Sequence, residues 1–334
     1  MTEGFIMRQL KSIGASLLFL ALGAVSATAA DTGKLIFGQT LPGGSLQSAP
    51  VAIAIEKGYF KEAGLDVEIV RFPSGRRGLE ALIGGQVDLA FMAEYPPVIG
   101  ALQNQKFAVI TELGRFTGNR IIGRADLGFT SIADLAGKRV GTSLGTNAEF
   151  LTNLTLEKNG LKAEIVNLAP ADIVPALERG DIQAAVPFPD YYGKAREILG
   201  ERYREIVSKD YDAYMVVSAS RKAIEQQPGD IKKFLAALLK ASELIRNDPA
   251  SAKAAVVAAA QGALSAATVD QAWAEYTFRL GFQTGLLDVL EAEAKWVEAK
   301  GIIKGASIDR AGLRGYLADG PIGALAPDLN ALSK

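Results

Sequence analysis

The sequence predicts an α/β protein of two lobes, one inserted into the other. Three observations predict it. Short β-branched runs alternate with helical stretches through the first two thirds of the chain, as layered α/β folds require. One helix–strand–helix–strand unit occurs twice. The composition is that of a folded chain: of 334 residues, 49% are hydrophobic and 22% charged, too apolar for disorder. At roughly 100–200 residues per domain the length fits about two.

The repeat is visible in the residues. Gly64-Leu-Asp-Val-Glu-Ile-Val-Arg-Phe-Pro73 is matched by Gly160-Leu-Lys-Ala-Glu-Ile-Val-Asn-Leu-Ala-Pro170. Each follows a helical pattern, and Gly there suits the left-handed end of a helix. Each precedes a short helix with Ala-Leu (Ala81-Leu82; Ala176-Leu177) and then a small apolar strand, 85–91 and 180–186. The runs at 67–70 and 163–166 read as buried parallel strands.

The remaining elements follow in order. A strand covers 34–39, a loop passes Gly43-Gly44-Ser45, and a helix runs from Pro50 to Ala63, with Pro in its first turn. After the first repeat unit come a helix opening at Pro96-Pro97 and a strand from Phe107 to Leu113. A crossing segment, 114–123, leads to Ser131 and Asp134, spaced as a capping box. The strand 139–142 opens the second lobe, which ends near Tyr211, and the strand 214–219 carries the chain back. Beyond Gln226 the pattern reads as helix throughout, including Trp273 and Tyr276 at helical spacing. The expected division is lobe 1 over 31–115 plus 220–334 and lobe 2 over 116–219. Such lobes hinge, and the cleft between them is the expected ligand site.

The N-terminus reads as an export signal. Arg8 and Lys11 precede 13 uncharged, mostly apolar residues (13–25), and Ala27-Thr28-Ala29 supplies small residues before a cleavage point after Ala29 or Ala30. Met7 is an alternative start. The apolar run is shorter than the ~20 residues that span a bilayer, so the expected location is a periplasm.

Charge and composition exclude further classes. With 36 Lys+Arg against 37 Asp+Glu there is no basic bias for nucleic acid. The chain has no Cys and no His. Disulfides, Cys/His zinc sites, thiol nucleophiles and Ser-His-Asp triads are therefore closed to it. No phosphate-loop or calcium-loop spacing is present. No cofactor or metal is expected.

Three stretches together resemble a known family: Tyr59-Phe-Lys-Glu-Ala-Gly-Leu-Asp-Val-Glu68, Ala81-Leu-Ile-Gly-Gly-Gln-Val-Asp-Leu-Ala90 and Ile132-Ala-Asp-Leu-Ala-Gly-Lys-Arg-Val-Gly141. They resemble the periplasmic substrate-binding proteins of ABC importers, in the nitrate/sulfonate/taurine-type group that also includes binders of thiamine pyrimidine precursors. The match runs from about Lys34 to Ala219. It implies a bilobed, type II periplasmic-binding fold and a monomer that captures a small solute without catalysis. Its implied partners are an ABC permease and the ATPase subunits of that permease.

Ligands of open α/β sheets sit beyond the carboxyl ends of strands, which selects the candidate residues. Ser45, Gln47 and Ser48 either meet the solute or cap the helix at Pro50. Ser74 opens a helix whose N-terminus attracts anions; Arg76 and Arg77 beside it are otherwise solvated. Glu94, with adjoining Tyr95, either takes an amine or favours the next helix start. Thr146 and Asn147 sit where the second lobe's strand opens into a helix; Glu149 fits a capping box with Thr146. Asp190 is a ligand contact or an N-cap. Phe188 and Tyr191 flank a ligand or pack in the core. Tyr214 lies on the return strand near the hinge. Helix ends and arginines favour sulfonate, nitrate or carboxylate, whereas Glu94, Glu149 and Asp190 favour an amine; a zwitterion such as an aminosulfonate satisfies both sets.

Overall fold

A computed structural model describes residues 33–333; the export signal expected over 1–30 lies outside them. β1 (Gly33–Thr40) leads into α1 (Ala49–Glu56). The single helix expected over 50–63 is two, because Gly58 takes φ 72, which stops α1 and opens α2 (Tyr59–Glu62). Next come β2 (Leu65–Phe72), α3 (Gly75–Ile83), β3 (Leu89–Ala93), α4 (Tyr95–Leu102) and β4 (Phe107–Phe116). The chain then passes into β5 (Arg120–Arg124), β6 (Arg139–Thr142), α5 (Asn147–Lys158), β7 (Glu164–Asn167), α6 (Pro170–Arg179), β8 (Ala184–Ala185), α7 (Tyr192–Leu199) and β9 (Tyr203–Val207). It returns through β10 (Ala213–Ser220) to α8 (Arg221–Gln226), α9 (Pro228–Asn247), α10 (Pro249–Ala259), α11 (Ala266–Trp273), β11 (Tyr276–Gly281) and α12 (Thr284–Lys300). Among the described residues no helix is long and apolar enough to cross a membrane.

Two sheets give the bilobed α/β fold. The first has the order β11-β4-β10-β3-β1-β2, the second β7-β6-β8-β5-β9. Each places a central parallel strand (β1 or β6) between the two strands of the sequence repeat, β2 and β3 in one sheet, β7 and β8 in the other. Each then adds an antiparallel neighbour, β10 or β5. The repeat therefore marks equivalent positions in two sheets. Its Gly64 and Gly160 both take left-handed φ, 66 and 64, where the preceding helices end.

Three expectations change. The crossing expected over 114–123 is only 117–119, because β4 runs on to Phe116 and β5 begins at Arg120. β10 pairs with β3 and β4 in the first sheet, so 213–219 join that sheet rather than the second. Tyr276 is on a strand, β11, antiparallel to β4, and its ring lies 4.6 Å from Phe116 across the ladder.

The two connections between sheets, 117–119 and 208–212, run side by side. Buried Asn119 ties them: its Nδ2 donates to the Tyr211 carbonyl at 3.3 Å and its carbonyl accepts from the Ser208 N–H at 2.8 Å. Phe150 of α5 packs against Tyr95 and Trp296, with ring centroids 5.9 and 5.5 Å away, joining the layers of the two lobes. A smaller core around Ile173, Leu177 and Leu199 supports the second sheet.

Candidate functional site

The carboxyl ends of β1, β2 and β3 face those of β6 and β8 across a narrow cleft open to solvent. Six of the residues selected from sequence line it: Gln47, Ser74, Thr146, Asn147, Phe188 and Asp190. They come from both lobes.

Two helices begin at this cleft. α3 starts against β3, and Gly75 makes that possible: a Cβ there would lie 2.6 Å from the Met92 Cβ. Ser74 caps α3, its Oγ accepting from the Arg77 N–H at 3.4 Å; its own O–H is still available to donate. α5 starts at Asn147 after Thr146. The first N–H groups of a helix lack intrahelical partners and carry its positive end. One such end from each lobe thus opens on the same space.

Arg76 stands at the rim, about half exposed. Its Nη1 donates to the Leu144 carbonyl of the other lobe at 3.0 Å, and its Nε to Glu80 Oε1 at 3.0 Å. Gly145 lets it pass: φ is 76, and a Cβ would meet the Arg76 Cδ at 2.6 Å. Glu149 and Thr146 do not form the expected capping box. The Thr146 hydroxyl donates to the Ser143 carbonyl at 2.7 Å, and Glu149 Oε2 accepts the Gly145 N–H at 2.6 Å. Burial raises the Glu149 carboxyl, opposed by that N–H and by Arg76. The Gly145 amide is therefore already occupied within the loop.

Asp190 is the acidic residue of the cleft. Burial pushes its carboxyl up to about 6, against the Gln47 amide, which donates to Oδ1 at 3.1 Å. It does not cap a helix with its side chain.

Six other candidates lie away from this lining, each for a local reason. Ser45 is buried at 3% exposure in the turn before α1. Ser48 is fully buried between the Gln39 amide and the Gly44 carbonyl. Glu94 turns inward: it accepts from the Tyr211 hydroxyl and, at 2.7 Å, from the Tyr214 N–H, and it meets Glu293 of α12. Burial raises both carboxyls, and the charge of Glu94 raises Glu293 further. Tyr95 is fully buried in the aromatic cluster with Phe150 and Trp296. Tyr191 packs on the smaller core. The Tyr214 ring lies under the Arg115 guanidinium, 5.3 Å away, and its hydroxyl faces Gly285 of α12.

Sequence reasoning passed over Thr40, Met92 and Pro96 of the lining. Nothing in their chemistry marks them; they are there because their strands and helix end there. Arg76 was weighed as solvated and is indeed half exposed; its contact with the Leu144 carbonyl across the cleft is what the sequence did not reveal.

A family model described as NMT1/THI5 like matches residues 45–252, well over half of the chain. A protein of Brucella abortus (strain 2308), named provisionally as a binding protein, is 26% identical over 208 residues, covering 59% of this chain and 63% of that protein. The taurine-binding periplasmic protein of Escherichia coli (strain K12) is 29% identical over 147 residues, 42% of this chain and 44% of that one. The chain thus spans less than two thirds of the length of these relatives. The structure of the alkanesulfonate-binding protein SsuA from Xanthomonas axonopodis pv. citri bound to MOPS is similar at TM-score 0.71 and 18% identity, over 86% of this chain and 99% of that one. The desulfurization enzyme DSZB is similar at TM-score 0.64 and 18% identity, over 89% and 99%. These structural likenesses establish the fold, which hosts both capture and catalysis.

Proposed function

The chain belongs to the NMT1/THI5-like family, and from that premise we propose that it is the extracytoplasmic solute receptor of an ABC importer. It captures a small sulfonate-type anion in the cleft and hands it unchanged to a membrane permease driven by ATPase subunits. It works as a monomer in the periplasm, after cleavage of its N-terminal segment near Ala29 or Ala30. The lobes close about the paired connections that Asn119 ties.

One observation carries the reading: a helix N-terminus from each lobe opens on the same space, with Arg76 at its rim. An anion placed there draws on both helix ends and so holds the lobes together. The taurine-binding relative and the alkanesulfonate-binding neighbour support sulfonate as the anion. Asp190 favours a zwitterion, since an ammonium group beside it would replace the hydration that its carboxylate has lost. Capture rather than conversion is supported by the binding-protein names of the relatives. It is supported too by a chain without Cys or His, which leaves neither a thiol nucleophile nor an imidazole base.

A thermal-shift panel tests this. Taurine and ethanesulfonate should raise the melting temperature, since a ligand at 100 times its Kd adds about 2.7 kcal/mol to the folded state. A response to pyrimidines alone overturns the sulfonate assignment. Consumption of the ligand overturns the receptor role.

A further inference from the structure

α5 joins β6 to β7 of the second sheet, and its start lies at the cleft. Its flank is gripped by the first lobe. α12 packs on α4, the helix that joins β3 to β4 of the first sheet. Trp296 and Lys300 stand one turn apart on α12 and so share a face. Both reach one atom of α5: the Trp296 indole Nε1 donates to Glu157 Oε1 at 3.0 Å, and Lys300 Nζ lies 2.7 Å from the same oxygen. Burial opposes the charge on Glu157, but the Lys300 ammonium and the indole N–H together hold its carboxyl below the ordinary value. Two turns earlier on α5, Phe150 stands edge to face with Trp296. Phe150 and Glu157 are seven residues apart and lie on one side of the helix, so α12 holds α5 at two positions.

The neighbouring contacts of α5 go to the connection between the sheets. Lys158 pairs with Asp210 at 2.8 Å, and the Phe150 ring lies 5.4 Å from that of Tyr211. Asp210 and Tyr211 belong to 208–212, about which the lobes turn, so these contacts sit at the pivot. Trp296 and Lys300 are carried instead by the first lobe. A rotation that takes α5 with the second lobe draws Glu157 away from them. None of the three is among the residues that line the cleft.

We propose that Trp296, Lys300 and Glu157 are positioning residues for capture: they clasp α5 to the first lobe as the cleft closes, and so set the affinity for a ligand they do not touch. A contact made only in the closed form raises the closed population, and apparent affinity scales with that population. Every ligand of the cleft feels the clasp alike, because it acts on the start of α5 and not on the ligand's own chemistry. The inference rests on the receptor reading and goes further by naming residues that govern closure.

Stopped-flow kinetics and titration calorimetry of the full chain with taurine and ethanesulfonate test it. Glu157→Ala should weaken both ligands by the same factor, roughly threefold to fivefold, the scale of a half-exposed charged pair. The dissociation rate should rise by that factor and the association rate should stay as it is. Trp296→Phe keeps a ring against Phe150 but loses the N–H; it should act in the same direction by less, and it serves if Glu157→Ala does not fold. Glu157→Gln keeps an acceptor for the indole and should recover part of the loss. Fluorescence gives a second readout. The chain has two tryptophans, so Trp273→Phe leaves Trp296 as the single indole. Saturation with taurine should shift its emission, and Glu157→Ala in that background should shrink the shift. Unchanged dissociation rates in both clasp variants overturn the proposal. So does a loss confined to one ligand, or a Trp296 emission that ignores taurine binding recorded by calorimetry. If neither sulfonate binds the unmodified chain, the receptor reading falls and the clasp with it.

Discussion

Gln47 and Asp190, from opposite lobes, meet across the cleft: the Gln47 side-chain amide donates to Asp190 Oδ1 at 3.1 Å. Burial has lifted the Asp190 carboxyl to about 6. Below that pH the group is neutral and holds no attraction for an ammonium; above it the carboxylate attracts one.

Affinity for taurine should therefore rise as pH passes upward through 6, whereas affinity for ethanesulfonate, which has no amine, should not. Asp190→Asn should abolish the taurine slope and weaken taurine at pH 7 roughly tenfold or more, as expected for a hydrogen bond to a charged group. Titration calorimetry between pH 5 and pH 7.5 measures both. A parallel pH response of the two ligands removes Asp190 from ligand contact.

Arg76 bridges the lobes at the cleft rim through the Leu144 carbonyl. Arg76→Ala should weaken every sulfonate alike, by roughly tenfold, because a charge-assisted contact is lost. Gly145→Ala should act in the same direction for two reasons. An L-residue at φ 76 costs about 1–2 kcal/mol, and the new methyl displaces Arg76. Equal Kd values for the wild type and both variants would contradict the placement of Arg76 at the anion.

Glu94 and Glu293 form a buried carboxyl pair whose protonated form is favoured, by burial in both cases and in Glu293 also by its neighbour's charge. The sign follows from linkage. Both folded values lie above the ordinary 4.5, so the native state keeps protons that the unfolded chain releases, and stability falls as pH rises beyond that value. Glu293→Gln leaves one carboxyl with a neutral partner. It should flatten the fall in Tm between pH 6 and pH 9 and raise Tm at pH 9 by about 1–2 °C, the equivalent of about 1 kcal/mol in a chain of this size. Scanning calorimetry of wild type and variant at the two pH values checks this; parallel curves would refute it.

The pairing of like units was legible in the sequence because Glu-Ile-Val and the glycines before it are local signals, and β2 and β7 formed where they stood. Strands without a local signal were not. β11 reads Tyr276, Phe278, Leu280 at period two, but Trp273 at three residues before Tyr276 imitated a helix, and only pairing with β4 decides between them. β9, with exposed Arg204 and half-buried Glu205 among its residues, carried no apolar run to reveal it. The site divides the same way. Ser74 and Thr146 were found because a helix start is written in the chain. Glu94 was placed in the cleft because it follows a strand, yet it points at Tyr211 from the connection between sheets, a partner 117 positions away. Direction at a strand end is set by what packs there, which no local pattern records.

The central claim is that an anion sits between the starts of α3 and α5. A crystal structure with ethanesulfonate tests it most directly. The account predicts sulfonate oxygens within about 2.7–3.2 Å of the first N–H groups of both helices, with Arg76 closing the rim. A sulfonate found at one helix alone, or outside the cleft, would contradict it.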